Sequence, residues 1–276
     1  MPIVPSFLND ISLRQEPVTS QLPGSTASGV LWHAAPNRFL LNVPRVARYL
    51  IEDGRNITYE PSPGVEPAVI ASFFRTTPLA ALLYQRGLMA IHAACASNKK
   101  GALLLAGDSG VGKSALLAAL VQRGWTMLAD ELTAITMNGQ ETSFVTPSFS
   151  EIALWPDTVE KLGLAKDHLP HADANRLVLS TPKQLDSGPC PLLAIYYLAV
   201  HGKDEVKIME IHGAKKFRAL GALCYNSHIA DALLDRVAYM RYAAAITSKI
   251  SIKHMYHPRG KWCIPAMADL IEKDMA

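Results

Sequence analysis

The run Gly107-Asp-Ser-Gly110-Val-Gly112-Lys113-Ser114 constrains this chain more than any other stretch. It satisfies the pattern G-x-x-x-x-G-K-[S/T] at each fixed position. The apolar segment Gly101-Ala-Leu-Leu-Leu-Ala106 runs straight into it, and Leu116, Leu117, Leu120 and Val121 follow at helical spacing. A strand that feeds a glycine-rich loop and then a helix makes a phosphate cradle. The glycines permit a tight turn, several backbone N–H groups converge, and the helix start adds a positive partial charge. Lys113 is placed to reach β- and γ-phosphates, and the Ser114 hydroxyl to ligate Mg²⁺. The nucleotide-binding candidates are therefore Gly107, Asp108, Ser109, Gly110, Val111, Gly112, Lys113, Ser114 and Ala115.

Around this motif the chain reads as an α/β protein. Leu88–Ser97 and Gly101–Ala106 are expected strands joined by the polar turn Asn98-Lys-Lys-Gly, and a helix over 113–122 stops at Gly124. The strand Trp125–Ala129 completes a βαβ unit, which implies a mainly parallel sheet flanked by helices. Asn138-Gly139 marks a hairpin between 132–137 and 142–145, and Pro156 opens a helix reaching Leu162. Strands are expected over 192–200 and 206–211, with helices from Lys215 onward. The first 62 residues are turn-rich, with strands over 29–33 and 38–43 and a short helix over 46–51 before the turn Glu52-Asp-Gly-Arg55. Pro61-Ser-Pro63-Gly64 breaks the chain. The expected division is a small β-rich N-terminal subdomain, 1–62, and a nucleotide-binding domain, 63–276, that opens with helices over 65–75 and 79–86.

Phosphoryl chemistry also needs metal ligands and a group that orients or deprotonates the acceptor. Asp130-Glu131 ends the strand after the motif's helix, where Asp130 would face the γ-phosphate and Glu131 a metal or water; an acidic pair left in solvent is the alternative. His92 lies within the strand before the motif's strand, and a lone histidine there is more often a core residue than a ligand. Lys216 and Arg218, in Lys215-Lys216-Phe217-Arg218, would grip an anionic substrate or simply form a solvated basic face. The other histidines are scattered, without zinc-ligand spacing.

Composition removes other classes. Of 276 residues, 49% are hydrophobic and 18% charged, which is globular rather than disordered. Lys plus Arg number 27 against 24 acids, and a net charge of +3 gives no footing for nucleic acid. Cys95, Cys190, Cys224 and Cys263 are dispersed, which argues against a disulfide framework. The longest apolar run, Pro191–Val200, is half of what a membrane helix needs, and residues 1–10 lack a basic-then-apolar leader. The expectation is a cytoplasmic protein with no membrane partner, self-association being left open.

The run from His92 to Glu131 resembles the kinase domain of HPr kinase/phosphorylase. That family shows a histidine in a strand, then Gly-Asp-Ser-Gly-x-Gly-Lys-Ser, a helix ending Arg-Gly, and a strand ending in an acidic pair. This chain has His92, Gly107–Ser114, Arg123-Gly124 and Asp130-Glu131 at matching spacing over about 45 residues. It departs at Ala93 and Ala115, where the family has glycine and glutamate. Glu151-Ile-Ala-Leu154 keeps the acid of another family signature and lacks its arginine. The resemblance implies that Asp130 is the catalytic acid/base, that His92 lies by the phosphates, that Glu131 and Glu151 assist Ser114 with Mg²⁺, and that Lys216 or Arg218 stands in for a basic loop. The Leu-Trp-Pro segment and Tyr256-His-Pro-Arg259 look more like the related kinases that phosphorylate a serine of lasso-peptide precursors. Together these readings give an ATP- and Mg²⁺-dependent kinase acting on a serine of a peptide or small protein. HPr, a small hydroxyl metabolite, or a non-enzymatic nucleotide switch are the alternatives.

Overall fold

The computed structural model describes residues 8–138, 142–165, 169–170, 175–181 and 188–276. The chain divides into two compact units, one made of residues up to Ala90 with Cys224–Tyr242, the other of Ile91–Leu223 with Ala243–Ala276. The division does not fall at residue 62: the two helices after the Pro-Gly break belong with the N-terminal sheet, as does a late segment of chain.

In the first unit the strands are β1 (Ser12–Gln15), β2 (Ala27–Ser28), β3 (Trp32–Ala35), β4 (Arg38–Val43), β5 (Ala47–Glu52) and β6 (Asn56–Pro61). They form one sheet in the order β1-β6-β5-β4-β3-β2, antiparallel except for the β1–β6 pair. The expected helix over 46–51 is thus a strand. Ala47, Tyr49 and Ile51 alternate inward between less buried neighbours, a period of two rather than 3.6. Asp53 and Gly54 both take positive φ (54° and 59°), which gives the turn whose twist suits a hairpin. Helices α1 (Pro67–Phe74) and α2 (Thr77–Gln85) follow, and every residue of α2 from Pro78 to Tyr84 is buried. By length and composition Pro67–Gln85 would pass for a membrane span, yet it breaks at Arg75–Thr76 and half of it is buried in the protein. Strand β7 (Met89–Ile91) spans the junction between the units.

The second unit carries β8 (Ala93–Ser97), β9 (Ala102–Ala106), α3 (Lys113–Gln122), β10 (Thr126–Ala129), β11 (Thr133–Met137), β12 (Ser143–Val145), β13 (Glu151–Leu154), α4 (Pro156–Lys161), β14 (Leu177–Ser180), β15 (Cys190–His201), β16 (Lys207–Glu210) and α5 (Lys215–Leu223). Helix α6 (Ser227–Leu233) belongs to the first unit, and α7 (Arg236–Lys249) gives residues to both. Strand β17 (Ser251–Pro258) and helix α8 (Ile264–Asp274) complete the second unit.

The sheet is mixed, which corrects the mainly parallel one expected. β15 pairs in parallel with β9 on one side and β17 on the other, while β8–β9, β8–β10, β16–β17 and β12–β15 are antiparallel. The βαβ reading holds in direction: β9 and β10 run the same way, but antiparallel β8 lies between them. β17 falls in a stretch where helices are expected to dominate. Its burial follows no simple alternation, and it is held by eight paired positions along β15. Gly139, the second residue of the expected hairpin turn, lies outside the described residues; β11 and β12 do pair antiparallel.

Leu103 and Leu105 of β9, Tyr196 and Leu198 of β15 and Met255 of β17 form one core with Leu116, Leu117 and Leu120 of α3 and Met267 and Ile271 of α8. Alternation along the strands sends these residues to one face, and the two helices cover it. Arg123, just past α3, ties the helices at the surface through Asp269 (2.7 Å) and Glu272 (2.9 Å).

Candidate active site

All five residues of β9 are buried, so the strand is fixed on both faces where it delivers the chain to Gly107. There the backbone takes φ 134°, and a Cβ would stand 2.6 Å from the Leu198 carbonyl oxygen of β15. Glycine is required for that close approach. At the other end of the loop Gly112 takes φ 103° and caps α3, its carbonyl accepting the Leu116 N–H at 2.9 Å. The N-cap is a glycine and supplies no side-chain cap, so among the described residues the first-turn amides of α3 are left available as donors.

Lys113, the first residue of α3, is buried and folds back over its own loop. Its Nζ donates to the carbonyls of Gly107 (2.8 Å) and Asp108 (3.0 Å). Burial lowers its pKa, against the pull of Asp130, Asp108 and Glu131. Ser114 donates its hydroxyl to Asp130 Oδ1 at 3.0 Å. This contact joins the loop to the end of β10, as expected of strands that finish at one sheet edge.

Asp130 is a carboxyl held under tension. Burial and the adjacent Glu131 push its pKa up to about 7, opposed by the Ser114 hydroxyl and by backbone N–H groups of Glu131 and Ala153. Glu131 itself takes φ 69°, a left-handed conformation costly for a side chain of its size. That bend lets neighbouring acids diverge: Asp130 stays with Ser114, and Glu131 meets Arg176 at 3.0 Å. His92 sits in the break between β7 and β8 rather than within a strand, its N–H donating to the Leu223 carbonyl at 2.9 Å. Burial, then Lys113, lowers the imidazole pKa, which disfavours the charged ring.

These groups line one cleft of about 580 Å³: His92, Ser109 to Ala115, Asp130 and Glu131 all contribute. Glu151 stands on β13 two residues before Ala153, and among the described residues it is not part of the lining. Lys216 and Arg218 lie on α5, also outside it; Lys216 donates to the Ile250 carbonyl at 2.9 Å, and Arg218 is exposed. The cations that do line the cleft are Arg176, Lys161, Lys261 and Arg259, with Trp155 and Trp262 also in the lining; of these, only Arg259 and Trp155 stand in segments that the sequence resemblance picks out, and it gives them no role in a site. Lys161 Nζ lies 3.2 Å from Asp157 and 5.4 Å from the Trp262 ring centroid. No local motif marks Arg176, Lys161, Lys261 or Trp262. They come together through the antiparallel β13–β14 pair and the return of β17, both long-range events.

Among the described residues no group of three or more His, Cys, Asp or Glu is placed to hold a metal by itself. The donor set here, one hydroxyl and neighbouring carboxylates, suits a hard cation that takes its remaining ligands from water and phosphate. With its proton directed at Asp130, the Ser114 hydroxyl keeps its lone pairs for such an ion.

No family model matches this chain, and no curated protein does. Among solved structures, the HPr(Ser) kinase/phosphatase from Coxiella burnetii is similar at 12% identity with a TM-score of 0.36, over 67% of this chain and 95% of that one. The likeness is too slight to carry a functional argument, which rests instead on the cleft.

Proposed function

We propose that this chain is a kinase that uses ATP and Mg²⁺ to phosphorylate a serine hydroxyl on a peptide or small protein in the cytoplasm, with the precursor of a lasso peptide as the leading acceptor. One observation carries the reading: the serine that closes the phosphate cradle donates to a half-buried aspartate whose pKa is raised to about 7, beside a lysine folded onto the cradle. The choice of a peptide acceptor rests on the resemblance of the His92–Glu131 run to the HPr-kinase type and its relatives.

The loop amides and the first turn of α3 bind the phosphates. Lys113 leaves the two carbonyls it now holds and turns its ammonium to the β- and γ-oxygens. Ser114 and Glu131 would hold Mg²⁺, which would supply neutralisation of the triphosphate's charge. Asp130, matched in pKa to neutral pH, accepts the proton of the acceptor hydroxyl as its oxygen attacks the γ-phosphorus. His92, whose charged form burial and Lys113 disfavour, orients a phosphate or water by hydrogen bonding.

The test is incubation with Mg·ATP and serine-containing peptides, read by mass spectrometry for a gain of one phosphate. Lys113→Ala should abolish transfer. Asp130→Asn should retain Mg·ATP binding by calorimetry and lose roughly 10²- to 10⁴-fold in turnover, the range for general-base loss. Undiminished turnover in Asp130→Asn removes it from the mechanism. The acid limb of kcat/KM should fall near pH 7 in the wild type and vanish in that variant, because protonated Asp130 cannot act as base.

A further inference from the structure

Of the cations lining the cleft, most are already held. Arg176 pairs with Glu131 at 3.0 Å, Lys161 with Asp157 at 3.2 Å and Lys261 with Asp204 at 2.6 Å. Lys113 belongs to the cradle itself. Arg259 is different: it is exposed, lines the cleft, and has no carboxylate partner among the described residues.

Its backbone, in contrast to its side chain, is fixed. It stands in the five-residue connection from β17 to α8. On one side Pro258 is buried and its residue is paired with His201 of β15. On the other, Ile264 is buried and its Cδ1 lies 3.4 Å from where a Cβ would stand on Gly112, the last glycine of the cradle. The connection therefore ends against the cradle itself, beside Gly112, where α3 begins. The end of β17 holds a second group in want of a partner: His257 lines the cleft, its Nδ1 lies 3.2 Å from the Pro258 carbonyl, and its Nε2 is buried with no hydrogen-bond partner among the described residues. A preplaced backbone carrying an uncommitted guanidinium beside a phosphate cradle is the arrangement by which a planar five-donor fork meets phosphoryl oxygens as they gain charge.

We infer that Arg259 is a catalytic residue that contacts the γ-phosphoryl oxygens in the transition state, supplied by the chain itself from the connection that packs beside the cradle. This rests on the nucleotide-binding reading above. In the step concerned, the bond from the γ-phosphorus to the ADP oxygen breaks as the bond to the acceptor oxygen forms, and the proton passes to Asp130. Arg259 gains no bond; it neutralises charge on the three equatorial oxygens.

The experiment needs no acceptor. Calorimetry compares Mg·ADP with Mg·ADP plus aluminium fluoride, a mimic of the transferring phosphoryl group, on wild type, Arg259→Ala and Arg259→Lys. Arg259→Ala should weaken the aluminium fluoride complex about a hundredfold, the scale of one lost transition-state donor, and Mg·ADP less than about threefold. Arg259→Lys should recover part of the loss, since it restores charge without the bidentate fork. Equal weakening of both ligands, or no weakening of either, overturns the role of Arg259 while leaving nucleotide binding intact. Failure of the wild type to bind Mg·ADP overturns the nucleotide reading itself, a result distinguishable from the other two.

Discussion

Asp130 shows how much one residue's surroundings decide. Its pKa rises from 3.8 to about 7, so the folded protein retains a proton that the unfolded chain releases between about pH 4 and pH 7. The folded state binds more protons in that window, and stability from this group is full below pH 4 and declines as pH rises to 7. About three units correspond to a ceiling of about 4 kcal/mol. Asp130→Asn should therefore melt higher than the wild type at pH 8, by about a few degrees, with the gap closing toward pH 4; calorimetric scans at both pH values check this. Gly107 is the complementary case, a site with no tolerance. Gly107→Ala forces a Cβ to 2.6 Å from the Leu198 carbonyl at φ 134°, and should cost roughly 2–4 kcal/mol in urea unfolding along with loss of nucleotide binding.

At the scale of elements, α8 matters more to the site than its distance in sequence suggests. It packs on α3 through Met267 and Ile271, and Cδ1 of its first residue, Ile264, lies 3.4 Å from where a Cβ would stand on Gly112. Met267 is 1% exposed, and Met267→Ala should destabilise by about 2–5 kcal/mol in denaturant titration, as for other buried truncations. Nucleotide affinity should fall with it at temperatures where α8 loosens. The elements also show where local pattern misleads. Val46–Ile51 lacks helix breakers and passes for a helix, yet alternation and the Asp53-Gly54 turn make Ala47–Glu52 a strand. β17 offers no alternation to read; pairing with β15 on one side and β16 on the other creates it.

For the whole molecule, the division into units has a direct consequence. A fragment beginning at residue 63 would keep α1 and α2 and lose the sheet that covers them, leaving Phe74, Leu79, Leu82, Leu83 and Tyr84 without their partners. Such a fragment should aggregate or bind a hydrophobic dye strongly, where the full chain does not. Pro61-Ser-Pro63-Gly64 breaks local structure, and a local break need not be a break in packing.

The sequence by itself determined the cradle, since strand, loop glycines, Lys113, Ser114 and helix are consecutive and each follows from short-range geometry. It also placed Asp130 near that cradle, because one crossover returns the next strand to the same sheet edge. Tertiary structure alone decided the rest: the antiparallel β8 set between β9 and β10, the raised pKa of Asp130, the pairing of Glu131 with Arg176, and the connection that brings Arg259 to the cleft. Those features depend on burial and on contacts between residues far apart in the chain, and no window of neighbouring letters contains either.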